Sequence, residues 1–533
     1  MHAREGRFGM ACWLRRRVAT VVLLICFGGW AHDAALAGGA PPAAASRATK
    51  TAHASAPAES SAPRETWDLL FLQRSRIGFT HSTISDAVEK GRAQIKVEQE
   101  SRLAVKRFGE QTEQTMKFVC LETPDGELVR FESTVELGGA PTVSSGSVEG
   151  DQLVIATTTQ GKTERRKLAW APKTGGFFAV ELGLRRAPMK PAERRTVRQL
   201  APIFNDLIEV EMTAVDYEPT ELLGGTYELL RIVSKVTLPG GLSMESVAWS
   251  DRTGDVLKTE IAAIGQTSLR ATKELALEDA EEPAVDLGEG SIVSVSKPIP
   301  RPHETRRIRY EARIMEGDPA AAFVVGPTQE LKPLAPNRAE LTVRAIIPAA
   351  GTRQRDPSKG AEPSNDDRRP NGLIQSDDPK LVAMAAEAAA NETDPWKVAI
   401  ALERYVHDTI SEKNFSQTFA SAADVARSRE GDCTEHAVLL AALARAKGIP
   451  ARVAIGLVYM PSRQGFGYHM WNELFINNNW VGMDGTLARG GIGAAHLKLA
   501  HSNLNGASAY SSFLPVLSVL GRLRLDVLEI EYR

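Results

Sequence analysis

Cys433 sits in a setting that favours reactivity. It follows Gly431-Asp432 and precedes Thr434-Glu435-His436, then an Ala- and Leu-rich run that ends at Gly448-Ile449-Pro450. Asp432 and Glu435 have the spacing of a capping box, so a helix should start at about this point. Gly448 followed by Pro450 is a matching stop. Cys433 is therefore expected at the first helical position, where unpaired backbone N–H groups favour a thiolate, the species that attacks. The two nearby carboxylates oppose part of that effect, so a base is required. His469, within His469-Met470-Trp471-Asn472-Glu473, can supply it, and Asp484, within Trp480 through Thr486, can orient the imidazole. A thiol, a base and an acid that holds the base form a generalised triad. Cys433, His469 and Asp484 are the candidate catalytic residues.

This set is usable only if one hairpin has the right register. His469, Trp471, Glu473 and Phe475 alternate along one strand, and Trp480 to Asp484 form the return. Asparagine tolerates the positive φ of a type I′ turn, which places the turn within Asn477-Asn478-Asn479. A two-residue turn at Asn477-Asn478 pairs Ile476 with Asn479 and sets Asp484 on the face of His469. A three-residue turn would set it on the opposite face. The two-residue turn, or a bulge that restores the same parity, is expected.

Other residues compete for attention. Cys433-x-x-His436 raises a metal question, but zinc needs about four ligands and no second cysteine or close histidine pair stands nearby. His436 is expected to pack or hydrogen-bond beneath the site, and no metal or cofactor is expected. Cys120 lies on one face with Met116 and Phe118 at period two and reads as buried strand filling. Trp471, Glu473, Trp480 and Arg452 read as scaffold, with Arg452 set to pair with Glu473 or Asp432. The Cys433 backbone N–H is one donor for an oxyanion, and Gln417 or Asn414 is the candidate for a second.

The rest of the chain must export, present or restrict this stretch. Its 533 residues exceed one core and imply two or three domains. Lys and Arg number 64 against 66 Asp and Glu, so no basic excess invites nucleic acid or an anionic membrane surface. Arg15-Arg16-Arg17, an apolar run from Val18 to Trp30 and Ala35-Leu36-Ala37 read as a signal peptide over 1–37, cleaved after Ala37. That apolar run is about 13 residues, short for a span that needs ~20. No stable membrane span is expected after cleavage, with an uncleaved N-terminal anchor as the alternative. The protein is then secreted or periplasmic. Cys12 and Cys26 leave with the signal, and Cys433 is left as the candidate reactive thiol.

Residues 38–64, rich in Ala, Ser, Pro and Thr, read as a disordered linker. From 65 to 275, alternating strands and tight turns at Thr123-Pro124-Asp125-Gly126 and Asp251-Arg252-Thr253-Gly254 imply an antiparallel β domain without a chemical motif. A second β unit is expected over 290–350, a flexible linker over 351–376, helices and the catalytic stretch over 377–510, and a C-terminal β extension over 511–533. The fold class is α+β.

Gly431-Asp432-Cys433, Gly448-Ile449-Pro450-Ala451-Arg452, His469-x-Trp471-x-Glu473 and Trp480-x-x-x-Asp484-x-Thr486, in this order, resemble the transglutaminase-like superfamily of papain-related thiol enzymes. The pattern normally has proline after the aspartate, where Gly485 stands here. The resemblance covers about Asp377 to Gly506. It implies a papain-like core of helices packed on an antiparallel sheet and acyl-enzyme chemistry on amide bonds. Hydrolysis of peptides or proteins, cell-wall peptides among them, is expected over cross-linking. A true protein-glutamine acyltransferase and a non-catalytic peptide-binding envelope protein are the alternatives. Substrate, acceptor and oligomeric state are not legible in the sequence.

Overall fold

A computed structural model describes residues 62–107, 110–137, 141–238, 243–278, 292–315, 317–347, 362–412, 420–505, 514–519 and 521–533. The expected signal peptide, most of the expected linker over 38–64, and Asn414 and Gln417 lie outside the described residues. Among these, the fold is α+β, with a large antiparallel sheet ahead of a smaller helix-and-sheet core.

Strands β1 (Arg64–Leu72) to β8 (Lys162–Ala169) run as one meander, and β9 (Arg194–Ala201) to β14 (Gln266–Ala271) as another. Antiparallel pairing of β1 with β14 joins them into a 14-stranded sheet whose edges are β8 and β9. The two tight turns close as their Gly positions require: Gly126 N–H donates to Thr123 O at 2.8 Å and Gly254 N–H to Asp251 O at 3.2 Å. Met116, Phe118 and Cys120 are all buried, as period two implies. Phe177 packs on Phe118 and Phe131 with ring centroids 5.4 and 5.0 Å apart. It leads into helix α1 (Ala179–Arg186), which buries Leu182 and Leu184 and also Glu181.

The second β unit is not contiguous in sequence. Its first strand, β15 (Val293–Ser294), leaves it and pairs with Gly465 and Phe466 of the core. Strands β16 (Thr305–Ile314), β17 (Gln329–Ala335) and β18 (Arg338–Arg344) form a four-stranded sheet with the last strand of the chain, β23 (Leu523–Tyr532), in the order β17-β18-β16-β23. This sheet touches the core where Ala494 N–H donates to Thr305 O at 3.1 Å and Tyr310 Oη to Ala494 O at 3.4 Å.

Four helices enter the core: α2 (Pro379–Ala389), α3 (Pro395–Thr409), α4 (Ala422–Ser428) and α5 (Cys433–Ala446). Asp378, Asp394, Ser421 and Asp432 cap them, each side chain accepting a backbone N–H of the first turn. Helix α5 is buried from Cys433 to Arg445, and α2, α3 and α4 surround it. Beneath it lies the sheet β15-β20-β19-β22, with β19 (Ala451–Met460), β20 (Gly465–Ile476) and β22 (His496–Ser502), while β21 (Asn479–Met483) pairs with β20.

The stretch 351–376 reads as a flexible linker. Of its described residues, 362–370 are mostly exposed, whereas 371–376 are packed. Leu373 and Ile374 are buried, and Asn371 Oδ1 accepts the N–H groups of both. There the polar residues satisfy a buried backbone, which composition does not distinguish from a loop.

Candidate active site

Cys433 is the first residue of α5, as the capping box implies. Asp432 Oδ1 accepts the Thr434 N–H at 2.8 Å, and Glu435 Oε2 accepts the Asp432 N–H at 3.0 Å. The other oxygen of Glu435 accepts the Ala420 N–H at 3.1 Å. Burial, with Asp432 beside it, pushes the Glu435 carboxyl well up. The helix start therefore carries less negative charge against a thiolate than two ionised carboxylates would. Gly431 has φ +148°, and a Cβ there would lie 2.3 Å from Glu435 Cβ, so only glycine lets the chain reach the cap this way. His436 is fully buried and bonds through Nδ1 to the Asp432 carbonyl at 2.5 Å, beneath the site.

The hairpin takes the two-residue turn. Asn477 and Asn478 have φ of 49° and 62°, and Ile476 pairs with Asn479. Pairing continues to Asn472 with Met483, which sets Asp484 one step past β21 and level with Trp471. His469 Nε2 donates to Asp484 Oδ2 at 2.8 Å. The Cys433 side chain is close enough to His469 to act on its imidazole. Because Nε2 is engaged by the carboxylate, Nδ1 is the nitrogen left for sulfur. The three candidate residues thus meet, with His469 between thiol and carboxylate.

The electrostatics favour a charged imidazole. Burial opposes it, but the Asp484 carboxylate outweighs that penalty and, with Cys433 on the other side, lifts the pKa of His469 to about 10. The Asp484 carboxyl falls well below the usual range, its burial overcome by His469 and by a further hydrogen bond from His496. Asp484 is satisfied on both oxygens, since Oδ1 accepts the N–H groups of Thr486 at 2.9 Å and Leu487 at 3.2 Å.

Three supporting residues escape a reading of the sequence alone. Glu403 on α3 accepts the N–H groups of Asp484 at 2.9 Å, Gly490 at 2.8 Å and Gly491 at 3.2 Å, so it clamps the loop that carries the acid. Burial, against these hydrogen bonds, raises its pKa to about 7. The signal was its place on the buried stripe of the helix with Ala399, Leu402 and Val406. Lys498 bonds to Glu473 at 2.6 Å, and Arg452 contacts the same carboxylate at 2.7 Å while lying 3.9 Å over the Trp480 ring. Although burial opposes it, these two cations hold Glu473 at about 2. Of its two candidate partners, Arg452 takes Glu473. The third is His496, whose Nε2 lies 3.2 Å from Asp484 Oδ2.

His469, Asp484 and His496 bring donor atoms within 4.8 Å of one another, so these three residues could hold a metal ion. The His469 contact has the length of a charge-assisted hydrogen bond, the His496 contact that of an ordinary one, and neither needs an ion to explain it. The metal-capable group is thus not the Cys433-x-x-His436 pair.

Residues 382–485 match the sequence profile of the transglutaminase-like superfamily. This segment is similar to the transglutaminase-like core. It ends one residue past Asp484 and includes Cys433 and His469. No curated protein matches the chain. Among solved structures the chain is similar to a candidate cysteine protease of Cytophaga hutchinsonii, with 16% identity, 43% of this chain and 87% of that one covered, and a TM-score of 0.27. It is also similar to the periplasmic domain of TgpA from Pseudomonas aeruginosa bound to ethylmercury, with 16% identity, coverage of 39% and 87%, and a TM-score of 0.23. A candidate protease of Parabacteroides distasonis shares 10% identity over 65% of this chain and 64% of that one, with a TM-score of 0.17. Among the described residues, no helix is long and apolar enough to cross a membrane.

Proposed function

We propose that the chain is an exported thiol hydrolase that cleaves amide bonds of peptides or proteins through Cys433, His469 and Asp484. The observation that carries this reading is the buried imidazole of His469, bonded to Asp484 at 2.8 Å and within reach of the Cys433 thiol. The Cys433 thiolate attacks the carbonyl carbon and a C–S bond forms, while the oxygen takes the displaced electron pair. The backbone N–H at the start of α5 supports that oxyanion. His469 gives its Nδ1 proton to the departing amine, the C–N bond breaks, and a thioester remains. Neutral His469 then takes a proton from water, which attacks the thioester and frees the acid and the thiolate. Asp484 keeps the proton on Nε2 throughout, so that Nδ1 is the nitrogen that exchanges it. Export rests on the arginines, apolar run and small-residue site of the first 37 residues.

The test is mass spectrometry of casein and of cell-wall peptides after incubation with wild type or Cys433→Ala, with a primary amine present. Cleavage that depends on Cys433 is expected. Amine incorporation would make it an acyltransferase instead, and identical products from the two proteins would remove the enzymatic reading altogether.

A further inference from the structure

Asp484 serves two imidazoles, and the proposed mechanism uses only one. His496 opens β22, on the far side of β19 from β20. Across β19, Val458 pairs with His496 and Gly456 with His469, so both histidines point to one face of the sheet. A Cβ at Gly456 would lie 2.0 Å from the Leu497 carbonyl oxygen and 2.9 Å from Trp471 Cη2, so glycine between them lets the rings close over β19. The two Nε2 atoms meet the same oxygen, Asp484 Oδ2, at 2.8 and 3.2 Å. An ionised carboxylate only accepts, so both nitrogens must donate.

His496 is enclosed. Trp471 meets its ring edge-on with centroids 5.3 Å apart, and the rings of His469 and His303 lie 6.1 and 6.3 Å away. His303 belongs to the short turn Pro302–Glu304 that opens the four-stranded sheet unit, and the hydrogen bonds of Ala494 to Thr305 and Tyr310 fix the segment just before His496 to the same unit. The titratable groups around His496 are therefore Asp484, His469 and His303, with Cys433 beyond His469, Glu403 behind Asp484, and Arg489 beyond His303. Burial holds the His496 imidazole neutral against the pull of Asp484, and burial likewise lowers His303 to about 4. Two backbone N–H groups fix Oδ1 of Asp484, but Oδ2 would otherwise be held by His469 alone.

Resting on the triad reading above, we propose that His496 is a positioning residue: its imidazole donates from Nε2 to the oxygen of Asp484 that also receives His469, and so pins that oxygen where it keeps the proton on His469 Nε2 and leaves Nδ1 to exchange with Cys433. The four-stranded sheet unit, through its contacts at Ala494, holds His496 in place, which gives that unit a part in the site.

The test compares His496→Leu, which removes the donor, with His496→Gln, whose amide N–H keeps one. Two readings are taken on the full chain: the rate at which iodoacetamide alkylates Cys433 at pH 7, and the ring nitrogen spectrum of His469 in protein labelled with 15N-histidine. In His496→Leu, with folding verified by circular dichroism, alkylation should fall about tenfold, the worth of one hydrogen bond to a charged group, and the Nε2–H resonance of His469 should leave its hydrogen-bonded position. His496→Gln should restore both. Unchanged rate and spectrum in His496→Leu would overturn the proposal, as would a His496→Gln variant no better than His496→Leu. Tight 1:1 binding of Zn2+ to the wild type that is lost in His496→Gln would also overturn it, because the cluster would then be a metal site. If wild-type Cys433 alkylates no faster than free cysteine, the thiol-enzyme reading fails, and the His469 spectrum still decides the role of His496.

Discussion

Replacing Asp484 by Asn is the sharpest perturbation of the site, because it changes one charge and almost no volume. The asparagine carbonyl oxygen can still accept the Thr486 and Leu487 N–H groups that bind Oδ1, so the loop has no reason to move. The amide NH2 then faces His469 Nε2 and His496 Nε2 in place of an acceptor. To accept from it, His469 must shift its proton to Nδ1, the wrong nitrogen for taking one from Cys433. The carboxylate is also the largest influence that lifts His469 from 6.5 to about 10 against its burial. Each tenfold in that equilibrium is ~1.4 kcal/mol, so the net lift of the imidazolium, burial included, is on the order of 5 kcal/mol. Cys433 supplies part of it, which leaves roughly 3 kcal/mol for the carboxylate, or about a hundredfold in thiolate–imidazolium population. The assay is the pH dependence of Cys433 alkylation, followed by mass spectrometry of the modified peptide, with buried Cys120 as internal control. In Asp484→Asn the rate at pH 7 should fall by about two orders of magnitude. Turnover should fall further, by roughly 10³–10⁴, because the tautomer is wrong as well. A variant that folds and keeps the wild-type alkylation profile would show that Asp484 does not govern His469, and the mechanism above would be wrong.

Glu403→Leu should lower stability by roughly 3 kcal/mol in a denaturant titration, because three buried N–H groups of the Asp484 loop lose their acceptor; Glu403→Gln, which keeps an acceptor, should lose much less. Glu473→Ala should cost about 3–5 kcal/mol by leaving Lys498 and Arg452 buried without a counter-charge; adding Lys498→Met and Arg452→Leu should recover part of it. In the 14-stranded sheet, burial raises Asp68 and Glu122 to about 7 and Glu181 to about 8. These carboxyls bind protons more tightly folded than unfolded, so their stabilising contribution is complete below about pH 4 and is lost as pH rises through 7 to 8. Between these limits the urea midpoint of this region should fall as pH rises from 5.5 to 8, and an increase would contradict the burial of these groups.

Local chemistry made much of the site legible in the sequence. The capping box at Asp432 and Glu435 places Cys433 at a helix start through hydrogen bonds spanning three residues, and such contacts are written in adjacent positions. The two asparagines at 477 and 478 set the register of a hairpin, and period two then carries Asp484 to the side of His469. The tertiary structure decided what closes over long sequence separations. Glu403 meets the Asp484 loop from a helix 81 residues earlier, and nothing near it in sequence says which buried face that is. Strand β23 returns to β16, and β1 meets β14, through ladders of backbone bonds that any strand of suitable length could make. His496 reaches Asp484 only because β22 pairs with β19 across a glycine, a choice of partner set by packing and not by neighbours in the chain. The sequence by itself thus determined the three candidate groups and the turn that aligns them. The fold decided what holds the acid in place, because that support comes from elements whose pairing is a property of the whole molecule.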